Sequence, residues 1–186
     1  MARTPTTAIP LGFTAPDFQL PDTVSGHMMG RDELMAGDPT VVVFMCNHCP
    51  FVVHILPEFV AFAAEYMTKG VNVIAISSND VTGYPMDGPE HMTALATESG
   101  FTFPYLYDES QSVAREYEAA CTPDFSVFNA DMRCVYRGQF DGARPGNDVP
   151  VTGEDLRRVL DTLLAGGSVP EEDQIPSLGC NIKWKA

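Results

Sequence analysis

With 186 residues, 45% of them hydrophobic, the chain is long enough to form one domain with a sizeable core. A formal charge of −14 and a pI near 4.4, with no basic cluster, would repel nucleic-acid phosphates and anionic membranes, so neither is an expected partner. Five cysteines, odd in number and scattered, argue against a secreted disulfide framework and fit a reducing compartment with one reactive pair. No stretch reads as a signal h-region or a bilayer span, and a cytoplasmic home is the expectation.

In chain order, residues 17–20 and 24–28 predict a short hairpin around Pro21-Asp22. Residues 31–36 predict a helical turn before Gly37-Asp38-Pro39 breaks the chain. Residues 41–45 are β-branched and aromatic without polar alternation, as in a central strand buried on both faces. Cys46-Asn47-His48-Cys49-Pro50 follows at once. Beyond it Phe51, Val52, Ile55, Phe59, Val60, Phe62, Ala63, Tyr66 and Met67 recur at spacings of three and four, the signature of a helix with a broad apolar face, ended by Gly70. Pro57 inside that helix should bend it.

Residues 71–76 make a second buried strand, so strand, helix and strand imply a right-handed parallel crossover. Residues 81–88, with Tyr84-Pro85, read as a loop at the carboxyl end of that strand. That edge is where open α/β sheets bind ligands, so the loop should border the two cysteines. Pro89 at a start and Gly100 as a cap delimit a helix over 89–99, and another is predicted over 110–119. Residues 125–129 and 134–139 read as an antiparallel hairpin, which makes the sheet mixed. Thr152 with Asp155 resembles a capping box, and Leu156, Val159, Leu160, Leu163 and Leu164 stripe a last helix ending at Gly166. The final twenty residues read as an irregular tail packed on the domain and anchored by Trp184.

The chemistry centres on Cys46 and Cys49. Placed at a helix start, where unpaired N–H groups and the helix dipole favour an anion, Cys46 is expected to be the more acidic and exposed thiol and the nucleophile. A residue three along is near enough to close a disulfide, which makes Cys49 the resolving thiol. Asn47 and His48 set the poise, and a protonated His48 would stabilise the reduced form. A metal site from Cys46, His48, Cys49 and His54 is the alternative; a helix start cannot easily aim all four at one tetrahedral centre.

These residues resemble the thioredoxin superfamily, and the match extends past the dithiol. Residues 11–20, Leu-Gly-Phe-Thr-Ala-Pro-Asp-Phe-Gln-Leu, are similar to the opening of peroxiredoxins and related redoxins. Cys121-Thr122-Pro123-Asp124 resembles the Thr-cis-Pro loop that faces the dithiol in this superfamily. The nearest resemblance is to peroxiredoxin-like (redoxin, AhpC/TSA-like) proteins with a Cys-Asn-His-Cys-Pro motif and a Gly-Cys-x-Ile-Lys-Trp tail, here residues 179–184. It implies an α/β thioredoxin-like fold, a central mixed sheet flanked by helices, with an N-terminal redoxin extension. It also implies a cis Pro123 that presents the Thr122 backbone to an incoming peptide or thiol, with Cys121 close by.

The activity so implied is thiol-disulfide oxidoreduction through a mixed disulfide. Its partners would be protein or small-molecule disulfides and thiols and a separate reductant, and no cofactor is called for. Reduction potentials of such dithiols span roughly −120 to −270 mV, with His48 pushing toward the oxidising end. A thiol peroxidase acting on hydroperoxides is the second reading. Against it, peroxiredoxins carry Pro-x-x-x-Thr-x-x-Cys, whereas this chain has Val42 and Cys46 at the proline and threonine places and no matching arginine. A non-enzymatic binding module is the third reading. Cys121 is either a third thiol or a small filler, Cys180 either resolves an oxidised Cys46 or is packed and inert, and Cys134 reads as core. His54 reads as an ordinary, partly exposed residue, Asp87 and Glu90 as a solvated face, and the strand before Cys46 supplies no buried acid to act as proton acceptor.

Overall fold

The computed structural model describes residues 3–186. Its first elements are β1 (Arg3–Pro5), β2 (Gln19–Pro21), β3 (Met28–Gly30), α1 (Arg31–Leu34), β4 (Thr40–Phe44), α2 (Pro50–Met67) and β5 (Asn72–Ser77). They are followed by α3 (Pro89–Ser99), β6 (Tyr105–Tyr107), α4 (Ser112–Glu116), β7 (Cys121–Thr122), β8 (Asp124–Phe128), β9 (Cys134–Gly138), α5 (Glu154–Leu164) and β10 (Leu178–Asn181).

A five-stranded sheet ordered β6-β5-β4-β8-β9 forms the centre. β4 pairs in parallel with β5 and antiparallel with β8, so the sheet is mixed as expected. Alternation along β4 decides the layers: Val41, Val43 and Met45 face a core shared with α2, α3 and α5, while Val42 and Phe44 face one closed by the N-terminal segment and α4. This is the thioredoxin-like arrangement. Phe59 of α2 sits within 6.1 Å, centroid to centroid, of Phe62, Phe103, Phe125 and Phe140, and this ring cluster fixes the helix over the sheet. Contrary to expectation, α2 is long and apolar enough by length and composition to cross a membrane. Here that apolarity is spent on Val52, Ile55, Phe59, Phe62, Ala63 and Tyr66, all buried against the sheet.

Several expectations are corrected. The tail is not wholly irregular: β10 forms a second sheet between β1 and β7, with Cys180 opposite Thr122. Trp184 is 38% exposed and stacks only under the Arg115 guanidinium, while Ile182 and the backbone of Lys183 are what hold the tail down. Thr152 does not cap α5. Gly153 is the cap residue, at φ 66°, and the buried Asp141 carboxylate accepts the N–H groups of Thr152 and Gly153 at 2.8 and 2.6 Å. The predicted helix over 110–119 shrinks to α4, because Gln111 adopts φ 64° and its amide is drawn to the Ser78 and Lys183 carbonyls.

Candidate active site

The motif turn leaves β4 and enters α2 with Cys49 as the N-cap residue and Pro50 at the first helical position, where a missing N–H costs nothing. Cys46 therefore lies three residues before the cap, beyond direct reach of the helix's N–H groups. All five cysteines are thiols, and all are buried; Cys46 is 1% exposed and Cys49 0%. The expected exposed nucleophile is thus covered. The His48 ring, with Nδ1 4.0 Å from Cys46 Sγ, screens it and is stacked at 5.3 Å on Tyr84.

Acidity is also reversed. The hydrogen bond between the two sulfurs, then burial, then the Asp87 charge push Cys46 up. The same Cys46 bond holds Cys49 down against its burial, aided by Thr122, Cys180 and the Val52 backbone N–H. The Thr122 carbonyl, accepting from the Cys49 S–H at 3.1 Å, favours the thiol form and opposes these contacts. As a pair, the dithiol gives up its first proton easily and its second with difficulty, and Cys49 is the better home for the charge. The reason is positional: the helix terminus serves Cys49, whereas Cys46 has a carboxylate for a neighbour.

That carboxylate is Asp87, which sequence reasoning set among solvated acids. It is 0% exposed. Its Oδ1 accepts the backbone N–H groups of Asn47 and His48 at 2.9 and 3.3 Å, and its Oδ2 accepts Asn79 Nδ2 at 2.8 Å and lies 2.7 Å from His48 Nδ1. A partner of this charge keeps the proton on Nδ1 and directed at Asp87, so through this nitrogen the ring offers Cys46 no base. No local signal marks Asp87; only its distant donors make it a buried group. Asn47, expected at the substrate, instead ties the motif to the loop, donating to Met86 O at 2.8 Å and accepting from Tyr105 Oη at 2.9 Å.

Thr122-Pro123 is cis, and the Thr122 hydroxyl is 3.6 Å from Cys46 Sγ. The Thr122 backbone, expected to await a substrate, is paired with Cys180 of β10. Gly179 makes this approach possible, since a Cβ there would fall 2.0 Å from Thr122 O. Cys121 is buried beside this loop, its S–H directed at Pro123 O at 3.6 Å, and burial pushes it up. Cys134 bonds to the Tyr136 carbonyl at 3.4 Å in the opposite core, as a structural thiol. Burial also raises the Asp124 carboxyl, against Arg137 at 3.9 Å. Arg137 itself serves the carbonyls of Thr7, Tyr117 and Glu118.

His54 does not join the dithiol; its Nε2 is buried without a hydrogen-bond partner among the described residues. The donors that do converge are Cys46, His48 and Asp87, all within 4.8 Å of one another. They fit a metal poorly. Nδ1 and Oδ2 at 2.7 Å are spaced for a shared proton, not for two ligands around an ion, and both Asp87 oxygens are already occupied by N–H donors.

Known proteins place the chain. An uncharacterized conserved protein from Geobacillus kaustophilus superposes at a TM-score of 0.97 with 51% identity, covering 100% of this chain and 97% of that one. A hypothetical protein from Sinorhizobium meliloti 1021 follows at 0.95 and 46%, covering 98% and 99%. The peroxidoxin BcpB of Mycobacterium tuberculosis shares the fold at 0.64 and 19% identity, over 85% of this chain and 98% of that one. No match is found among curated proteins. Residues 11–140, some seven-tenths of the chain, match the AhpC/TSA family, a match that supports redox chemistry at thiols, and the chain belongs to that family.

Proposed function

We propose that the protein is a thiol-disulfide oxidoreductase in which Cys46 captures a substrate disulfide and Cys49 resolves it. The observation that carries this reading is the pair itself: two buried thiols three residues apart at the start of α2, both against the cis-proline loop, Cys46 Sγ 3.6 Å from the Thr122 hydroxyl and Cys49 Sγ 3.1 Å from the Thr122 carbonyl. Cys46 attacks one substrate sulfur as its proton passes to Cys49, and the first substrate thiolate leaves. Cys49 then loses that proton and attacks Cys46 Sγ, closing the Cys46–Cys49 disulfide and releasing the second thiolate. Two electrons pass from the dithiol to the substrate, and the one proton and one negative charge of the resting pair end on the two leaving sulfurs, one as a thiol and one as a thiolate. His48 Nδ1–H is committed to Asp87 at 2.7 Å, and at 4.0 Å from Cys46 Sγ the ring acts on that sulfur as a cover.

Burial of Cys46 favours a second reading, a peroxidase, because a hydroperoxide needs less room than a protein disulfide. Against it, the buried Arg137 is committed to the backbone carbonyls of Thr7, Tyr117 and Glu118 and is not free to polarise a peroxide. A bulky disulfide requires the His48–Tyr84 cover to swing aside. The test is a Cys49→Ser variant incubated with a disulfide substrate. A mixed disulfide accumulating at Cys46, with negligible hydroperoxide turnover by the wild type, is the expected result. Rapid peroxide turnover without mixed-disulfide capture would transfer the protein to the second reading.

A further inference from the structure

We infer that Cys180 is a third redox thiol, which takes over the disulfide from Cys46 and stores it as an inner Cys49–Cys180 bond. This rests on the proposed dithiol chemistry and goes beyond it, because it gives the oxidised chain two disulfide states instead of one.

The placement is built rather than incidental. β10 reaches Cys180 to the dithiol by pairing it opposite Thr122, the residue whose carbonyl takes the Cys49 S–H at 3.1 Å. Gly179 lets the two backbones close, its missing Cβ leaving room for Thr122 O. The strand is secured along residues 178–180 by β1, whose Arg3 pairs opposite Cys180. At its other end Lys183 N donates to Asn79 Oδ1 at 2.8 Å, and Asn79 in turn holds Asp87. Cys180 is 3% exposed and sits in the same core cluster as Cys46 and Cys49. Cys49 thus has two thiol neighbours, Cys46 in the motif and Cys180 on the tail.

Chemistry between these sulfurs balances without any further reagent. Starting from the Cys46–Cys49 disulfide, the Cys180 sulfur attacks Cys49 Sγ. The Cys49–Cys180 bond forms, the Cys46–Cys49 bond breaks, and the Cys180 proton ends on Cys46. Nothing is oxidised or reduced overall. The resting protein restrains this step: burial first, and then the contact with Cys49 and its charge, push Cys180 up to about 12, with Lys183 acting the other way. Once Cys49 is tied in a disulfide it carries no charge, so two of the three restraints vanish while the nearby lysine remains. Oxidation of the outer pair thereby releases the inner thiol.

The test drains the exchange. Oxidised wild-type protein, carrying the Cys46–Cys49 disulfide, is incubated with iodoacetamide, acid-quenched and mapped by mass spectrometry under non-reducing conditions. Reduced protein shows how fast the reagent reaches Cys46. Exchange exposes a Cys46 thiol that alkylation removes irreversibly, so label should build at Cys46 while a Cys49–Cys180 disulfide accumulates. Labelling in the wild type should outpace that in Cys180→Ser by at least roughly tenfold, since only the exchange generates that thiol. Cys180→Ala, which removes the thiol and leaves a different packing, should behave as the serine variant does. An oxidised wild type that keeps its Cys46–Cys49 disulfide and gains no more label than the variants overturns the relay alone. Absence of both the Cys46–Cys49 and the Cys49–Cys180 disulfide after oxidation would overturn the relay together with the proposed function.

Discussion

Replacing Asp87 with asparagine preserves shape and removes a charge, and the consequence can be worked from its four partners. An amide retains one oxygen. If that oxygen stays on the Asn47 and His48 backbone N–H groups, the new NH2 faces Asn79 Nδ2 and the Nδ1 of His48. Histidine can change tautomer and accept. Asn79 cannot turn its amide without surrendering its bond from Lys183 N, made at 2.8 Å. Two hydrogen bonds to a charged acceptor, each worth about 1.5–3 kcal/mol, are therefore lost or weakened, and the easier burial of a neutral group returns part of that. A net loss of about 3 kcal/mol is expected, a large share of a typical ~5–15 kcal/mol. With a urea dependence of about 1–3 kcal/mol per molar, the unfolding midpoint should fall by ~1–3 M. Asp87 is also one of the causes that push Cys46 up, so the variant's second thiol ionisation should move to lower pH. An unchanged midpoint would refute the claim that this carboxylate holds the motif turn.

Three further outcomes follow from the site. Ultraviolet thiolate absorbance of the reduced protein should show one anion per chain at neutral pH, fading only as acid protonates Cys49. In Cys46→Ser, which removes the largest cause of that lowering, the midpoint should rise toward ~8.5, and an unchanged midpoint would show that the sulfur pair is not what holds Cys49 low. Tyr84→Ala removes the ring stacked on His48 and should speed alkylation of Cys46 severalfold while leaving thiolate absorbance as in the wild type; equal rates would mean that the ring pair does not screen the sulfur. Gly179→Ala would place a Cβ 2.0 Å from Thr122 O, and should release β10 to limited proteolysis and cost about 1–3 kcal/mol, with resistance equal to wild type counting against close docking of the tail.

The parts of the fold that were legible carry local signals. α3 runs over 89–99 as read, because proline opens it and Gly100, at φ 70°, closes it. The β8–β9 hairpin and the buried β4 agree within a residue or two, since their apolar runs have turn residues at either end. β6 was not legible: Tyr105-Leu106-Tyr107 is three residues between a proline and an aspartate, and only pairing with β5 makes it a strand. β10 is similar, its Gly-Cys-Asn run becoming a strand because β1 and β7 lie on either side. At the site, the dithiol and the cis Pro123 could be read because each is a short contiguous motif. Asp87 could not, because its donors lie in two other segments, Asn47 and His48 in the motif and Asn79 after β5, and the sequence leaves Cys180 open between a resolving and an inert thiol because its place beside Thr122 depends on β10 pairing with β7.

The position of the buried acid alters how a proton can move. A carboxylate in the strand before the dithiol would sit beneath the second cysteine and draw its proton. Here the carboxylate comes from the loop after β5, lies by Cys46 and is saturated with N–H donors, so it disfavours ionisation of the thiol it neighbours. The nearest acceptor for the Cys46 proton is then the other sulfur, whose charge the Cys46 bond, Thr122, Cys180 and the first turn of α2 all support. Deprotonation of one thiol and reprotonation of the other become a single transfer between adjacent atoms. An interior site can carry that transfer without water, which in the proposed chemistry lets a dithiol that is 0–1% exposed react.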